Sequence, residues 1–306
     1  MKKILFILSF LYILSPAYEL KLNSNITALK LDQQELYIGT DKGEIYEYNL
    51  KDKSLKELLS LPKIKNYYEG DFARIYNIDV YQNSLLILSE GDFGAKNLSL
   101  YNNNLQIQTL QESSVKEAFF IDENTYLLVL LGSKIELVDK DLKRINEFKF
   151  SHSSLNDAAL NEEKTKFIAG FESGEVELFD LKSWKILKNY DKMHKDNIYQ
   201  VDFKNDTLIS CGTDRRIGLV KNEEQTFLQK DFLIYTCALS PSGKLAAYSD
   251  NEEGFNEVFD TNTLKTVRIF KDENLMSEII IFINERELII SGFGDKIVFR
   301  SLDESF

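Results

Sequence analysis

Few residues of this chain are suited to covalent or metal chemistry. Its 306 residues include two cysteines, two histidines, three prolines and one tryptophan. The motifs Cys-x-x-Cys-His, His-Glu-x-x-His and Gly-x-Ser-x-Gly do not occur in the sequence, and neither does a glycine-rich phosphate-binding loop. We therefore expect a protein that is not an enzyme, with no catalytic residues, no cofactor and no metal.

Positive charge is also scarce. The 37 lysines and arginines are outnumbered by 49 aspartates and glutamates, which gives a formal charge of −12. Affinity for nucleic-acid backbones comes mainly from Lys and Arg. Nucleic acid and anionic lipid headgroups are therefore poor candidates as ligands.

One long apolar run is present, ILFILSFLYIL at positions 4–14. Lys2 and Lys3 precede it and Ser15-Pro16-Ala17 follows it, which is the pattern of a secretory signal peptide. A transmembrane anchor is the alternative, but the run is shorter than the roughly twenty residues that a spanning helix needs. We predict that residues 1–17 are a signal peptide cleaved after Ala17. The mature protein, residues 18–306, should then be periplasmic and not inserted in a membrane.

The two cysteines are Cys211 and Cys237. An exported protein permits a disulfide, but two cysteines define no framework pattern. The repeat described next places them in adjacent units, on different strands and at different heights. We expect both to be small buried residues, with a bridge as the alternative.

A strand–turn–strand signal recurs seven times, as in IGTDKGEIYEYNL (38–50) and AGFESGEVELFDL (169–181). Successive equivalent positions are separated by 53, 37, 41, 41, 39 and 41 residues; these positions are Tyr48, Tyr101, Val138, Phe179, Val220, Phe259 and Arg300. A period near forty with four strands per unit is typical of a propeller blade. The sequence therefore predicts an all-β fold, a single seven-bladed propeller over residues 18–306. The second and third units are the least regular, so six or eight blades are the alternatives.

The segment YELKLNS (18–24) is a spare strand before the first blade, and the last unit ends at its third strand. Pairing the spare strand as the outer edge of the last blade would close the ring and leave no open sheet edge there.

The fifth unit, MHKDNIYQVDFKNDTLISCGTDRRIGLV (193–220), is similar to the WD40 frame Gly-His…Ser-Gly-Ser-x-Asp…Trp-Asp. His194 and Asp214 fall on the His and turn-Asp positions, whereas no unit has the Trp-Asp pair. This resemblance implies a fold and not a function. We expect His194 and Asp214 to form a structural contact that links a loop to a later turn; an acid–base pair is the alternative.

The 53-residue interval places extra residues in SLPKIKNYYEGDFA (60–73), and the next unit has a widened turn, SEGDFGAKN (89–97). Both loops belong to the same rim of a propeller. We expect an aromatic cluster of Tyr67, Tyr68, Phe72 and Phe93 there, and aromatic residues are enriched at protein interfaces. Arg215 and Arg216 should add a cationic spot on the same rim. The alternative is that the rings fold back over the blade edges.

The short signal, the WD40-like body and the composition rich in Lys, Asn and Ile together resemble the NapL accessory proteins of Campylobacter-type bacteria. The resemblance implies a non-catalytic role in assembly, maturation or electron supply of periplasmic nitrate reductase, with its subunits as partners. Two alternatives are an envelope assembly scaffold and a metal-dependent hydrolase of the lactonase type. The hydrolase would require several carboxylate ligands that converge in the propeller channel.

Overall fold

The computed structural model describes residues 18–67, 70–250, 253–272 and 275–304. These residues form seven four-stranded antiparallel sheets, the blades of a single seven-bladed propeller around a central channel. The fold class is the predicted one. In the described ranges, no helix is long and apolar enough to cross a membrane. The predicted signal peptide, residues 1–17, lies outside the described residues.

Each blade has four strands, which we name a to d from the channel outwards. Blade 1 contains β2 (Ile26–Asp32), β3 (Glu35–Thr40), β4 (Glu44–Asn49) and β5 (Leu55–Ser60). Blade 2 contains β6 (Ile75–Tyr81), β7 (Ser84–Glu90), β8 (Lys96–Asn102) and β9 (Asn104–Thr109). Blade 3 contains β10 (Val115–Asp122), β11 (Thr125–Leu130), β12 (Lys134–Asp139) and β13 (Arg144–Lys149). A short 3-10 turn, Asp92–Gly94, joins strands b and c of blade 2.

Blade 4 contains β14 (Leu155–Leu160), β15 (Lys166–Phe171), β16 (Val176–Asp180) and β17 (Lys185–Tyr190). Blade 5 contains β18 (Ile198–Lys204), β19 (Thr207–Gly212), β20 (Arg216–Lys221) and β21 (Glu224–Gln229). Blade 6 contains β22 (Cys237–Leu239), β23 (Leu245–Ser249), β24 (Phe255–Asp260) and β25 (Thr266–Lys271). Strand d connects to the next strand a on one face, where strand b also turns into strand c. We call this the top face.

Blade 7 contains β26 (Ser277–Phe282), β27 (Glu287–Gly292) and β28 (Lys296–Ser301), and its outermost strand is β1 (Tyr18–Lys21) from the start of the propeller. The antiparallel register of β1 on β28 pairs Tyr18 with Phe299, and the two rings stack at 4.3 Å. Closure of the ring by the N-terminal strand is thus confirmed.

The strand register explains the repeat. All seven positions that define the period in the sequence lie on strand c, opposite the second residue of strand b; the pairs include Leu36–Tyr48, Phe167–Phe179 and Leu288–Arg300. The long first interval therefore reflects a longer connection between blades 1 and 2, because the strands themselves keep the same register.

The core lies between neighbouring blades. Side chains of strand a alternate in direction, because successive residues of a strand point to opposite faces. In blade 2, Ile78 packs with Ile45 of blade 1, whereas Asn77 and Asp79 accept hydrogen bonds from amides of blade 3. Blade 2 thus combines apolar packing against blade 1 with polar contacts to blade 3 near the channel.

The expectation of two unbridged cysteines was wrong. Cys211 on β19 and Cys237 on β22 form a disulfide across the boundary between blades 5 and 6, with their Cα atoms 6.2 Å apart. Both are fully buried. The strand register shows that Cys237 in blade 6 is equivalent to Val201 in blade 5. Both residues lie on the side of their strand a that faces the preceding blade. The two cysteines therefore face each other although their strands differ.

Candidate functional site

The insertion between blades 1 and 2 and the widened turn of blade 2 form one structure on the top face. The backbone amide of Phe93 donates to the carbonyl of Lys65 at 2.8 Å, and the amide of Lys65 donates to the Asp92 carboxylate at 2.8 Å. Within the insertion, the amide of Ile64 donates to the carbonyl of Asp71 at 2.9 Å. These bonds fix the two loops to each other.

The joined loops present two aromatic rings to solvent. Tyr67 is 75% exposed and Phe93 is 51% exposed, and their ring centroids are 4.8 Å apart. Phe93 has a φ of 55°, in the left-handed region, which costs a non-glycine residue on the order of 1 kcal/mol. The turn thus holds a large apolar side chain outward in an unfavourable backbone conformation. We call Tyr67 and Phe93 the aromatic pair.

The other residues predicted for this rim have different positions. Phe72 is 44% exposed and has the Lys63 ammonium 5.4 Å from its ring centroid. Tyr68 lies outside the described residues. Arg215 is exposed in the top-face turn of blade 5.

Arg216 does not contribute to an exposed cationic spot. Arg216 is only 9% exposed. Its guanidinium donates hydrogen bonds to the backbone carbonyl of Met193 and to the side-chain oxygen of Gln229. The guanidinium also lies 3.9 Å from the ring centroid of Phe227. Arg216 is the first residue of β20, whereas Arg215 belongs to the turn before that strand and has a φ of 64°. The change from turn to strand therefore buries Arg216 and leaves Arg215 exposed.

A cavity of about 290 Å³ lies under the joined loops. Its apolar lining includes Leu61, Pro62 and Ile64 of the insertion and Ile107 of strand d in blade 2. An exposed aromatic pair beside a partly apolar cavity matches the composition of an interface centre. The aromatic pair and this cavity form the candidate docking site.

His194 and Asp214 are brought together. The Nδ1 atom of His194 is 3.0 Å from Asp214 Oδ1, and its Nε2 atom is 2.8 Å from Ser210 Oγ. Asp214 also accepts hydrogen bonds from the amides of Lys195 and Arg216. Burial opposes ionisation of Asp214, but these hydrogen bonds prevail and lower the pKa of its carboxyl group. The His194 side chain is 0% exposed, so its nitrogen atoms are enclosed by protein groups.

His152 is the other histidine of the chain. It is largely buried, with Nε2 2.7 Å from Glu177 Oε1, and its ring contacts Phe171. Within the described ranges, no group of three or more His, Cys, Asp or Glu residues has an arrangement that could hold a metal ion.

Polar residues line one side of the channel, a feature that the sequence reasoning missed. Asn77, Glu117, Asp157 and Gln200 occupy one equivalent position of strand a in four consecutive blades. Each accepts a hydrogen bond from a backbone amide of the next blade; those from Ala118, Val201 and Cys237 measure 3.1, 2.8 and 3.0 Å. Aligning the seven inner strands on the bulge that precedes this position would have revealed the row.

Glu117 and Asp157 are neighbours in this row and form a carboxyl pair joined by a side-chain hydrogen bond. Burial raises the pKa of Glu117 well above its usual value, and the charge of Asp157 adds to that rise. Burial also raises the pKa of Asp157, to about 6, although Lys116 opposes the rise. The pair therefore retains a proton near neutral pH.

We expect Glu117→Gln to change the pH dependence of stability. A carboxyl group whose pKa is raised in the folded state stabilises the fold below its unfolded pKa, and this contribution is lost as pH rises through the folded pKa. The free energy of unfolding of the wild type should therefore fall relative to that of Glu117→Gln between pH 5 and pH 8, by roughly 1 to 3 kcal/mol. Denaturation at several pH values measures the difference.

Glu224→Gln is the matched control, because Glu224 is exposed on strand d of blade 5 and the charge change is the same. If the free energy of unfolding had the same pH dependence in the wild type and in Glu117→Gln, the carboxyl pair would not share a proton.

Comparison with known proteins supports the fold. No family model matches this chain, and no curated protein matches it. Among solved structures, the chain is similar to the β-propeller domain of Cps50 (Swd1) from Myceliophteria thermophila, with a TM-score of 0.73. The similarity covers 93% of this chain and 99% of that chain at 14% sequence identity. Identity this low shows the fold alone. The protein has a WD40-like seven-bladed β-propeller fold.

Proposed function

We propose that this protein is a non-catalytic interaction platform whose partner docks on the top face between blades 1 and 2. The observation that carries the proposal is the aromatic pair, because both rings are exposed and their loops are fixed to each other. A preorganised loop loses little conformational entropy when a partner binds. The cavity below the loops provides a place for an apolar side chain of the partner.

Periplasmic nitrate reductase subunits are the first partners to test, for a role in assembly, maturation or electron supply of that enzyme. The whole-chain resemblance to NapL proteins supports this choice. Export to the periplasm, with cleavage after Ala17, is part of the same proposal.

The test measures binding of purified nitrate reductase subunits to the wild type and to Tyr67→Ala/Phe93→Ala. Central aromatic residues of interfaces cost about 2 kcal/mol or more when truncated, so we expect binding to weaken by at least about thirtyfold. Ile145→Ala is the control, since Ile145 is exposed on strand d of blade 3. The control should bind like the wild type.

Equal binding by the aromatic double variant would contradict the docking site. Absence of binding by the wild type to any of the purified subunits would remove nitrate reductase as the partner. Affinity capture from an envelope extract with the wild type and with the double variant would then test whether the protein is an assembly scaffold or has no docking function. A protein enriched by the wild type and lost with the double variant would support the scaffold.

A further inference from the structure

The central channel has the size of a small-molecule site. Its volume is about 780 Å³, enclosed by the inner strands of the seven blades. Organic ligands occupy cavities of roughly 300 to 1,000 Å³ that combine an apolar lining with a few convergent polar groups.

One side of the channel wall is aliphatic. In blade 7, Ile279, Ile281 and Ile283 line the channel, and in blade 1 Leu29 and Leu31 do so. All five are only partly buried. At the position where blades 2 to 5 have the polar row, blades 7 and 1 have Ile279 and Ala28. From Ile279 on β26 to Ile283, the residue after that strand, this wall extends for about 13 Å.

The opposite side of the wall bears the carboxyl pair. Glu117 and Asp157 belong to blades 3 and 4, about half a turn around the ring from blade 7. Glu117 and Asp157 influence each other's pKa. The other charged groups that influence the pKa values of this pair are Lys116 at the channel wall and Asp202 of blade 5. Ionised carboxylate oxygens can only accept hydrogen bonds, so the complementary ligand group is a donor.

We propose that the channel is a binding site for an amphipathic primary amine. Its apolar body lies along the aliphatic wall of blades 7 and 1, and its ammonium group is held by Glu117 and Asp157. The inference is independent of the proposed docking function, since none of these residues belongs to the top-face loops.

The ammonium group replaces the proton that the carboxyl pair shares, and Lys116 competes with it electrostatically. Binding should therefore strengthen as pH rises from about 5.5 to 8, and it should release a proton. Lys116 provides a further test of the role of charge, because Lys116→Met removes the competing positive charge while retaining a long side chain.

Calorimetric titration of the purified protein at pH 8 tests the inference with three probes. Octylamine combines an apolar body with an ammonium group, octanoate has a similar body with the opposite charge, and putrescine has ammonium groups on a short body. We expect one-to-one binding of octylamine, with binding of the other two weaker by about tenfold or more. The octylamine enthalpy should change with the ionisation enthalpy of the buffer.

Three variants complete the test. Glu117→Gln and Ile281→Asn should each weaken octylamine binding by about tenfold, and Lys116→Met should strengthen it. Val267→Asn, at an exposed apolar site on strand d of blade 6, is the control for the isoleucine change. Circular dichroism checks that each variant is folded. Undetectable octylamine binding, equal binding of octanoate, or a Lys116→Met variant that binds more weakly than the wild type would overturn the proposal.

Discussion

Removal of the disulfide between Cys211 and Cys237 is expected to lower the free energy of unfolding by about 3.5 kcal/mol. The two cysteines are 26 residues apart in sequence. In the chain-entropy account, a cross-link over a loop of this length restricts the unfolded chain by that amount. The measurement is guanidinium denaturation of Cys211→Ala/Cys237→Ala beside the oxidised and the reduced wild type.

Reduced wild type and the double variant should unfold at similar, lower denaturant concentrations than the oxidised protein. Comparison of the two separates the effect of the bridge from the effect of truncating two buried side chains. A thiol assay on the denatured, unreduced protein should find no free thiol. Two free thiols, or equal stability of the oxidised and reduced forms, would contradict a stabilising bridge.

Replacement of His194 by alanine is expected to destabilise the fold by about 2 to 4 kcal/mol. Asp214 would lose its contact with the ring and keep its backbone amide donors, and the buried Ser210 hydroxyl would lose its hydrogen bond to the ring. The ring itself is fully enclosed, so its removal also leaves a cavity.

Thermal and denaturant unfolding measure this effect. Lys195→Ala is the matched control, since its exposed side chain can be removed while its backbone amide still donates to Asp214. The control should stay within about 0.5 kcal/mol of the wild type. If His194→Ala were no less stable than this control, the contact would not hold the loop before blade 5 to the turn at Asp214.

The sequence contained enough information to predict the blades and their closure. The recurring turn and the period near forty depend on residues within a single blade, and the spare strand at 18–24 was visible as an unpaired segment. The register confirms these predictions down to the residue, because Tyr48 and its six counterparts face the same position of strand b.

Contacts between blades were harder to predict. Whether Cys237 meets Cys211 depends on which side of strand a faces the preceding blade, and the alternation of apolar residues within one blade does not show that side. The same limitation applies to Glu117 and Asp157, which are forty residues apart in sequence and meet only across a blade boundary. Arg215 and Arg216 are adjacent and chemically alike, yet Arg215 is exposed in a turn and Arg216 is buried at the start of β20.

Closure by β1 also has a consequence for the order of folding. Its partner β28 lies at the other end of the propeller, so the first strand of the propeller pairs with the last. Such non-local pairing is slow, because nearly the whole chain must be ordered before the two segments meet. Until then, β1 and the outer edge of β28 are unpaired strand edges of the kind that can associate with other chains. Ring closure therefore removes two strand edges through which this protein could otherwise aggregate.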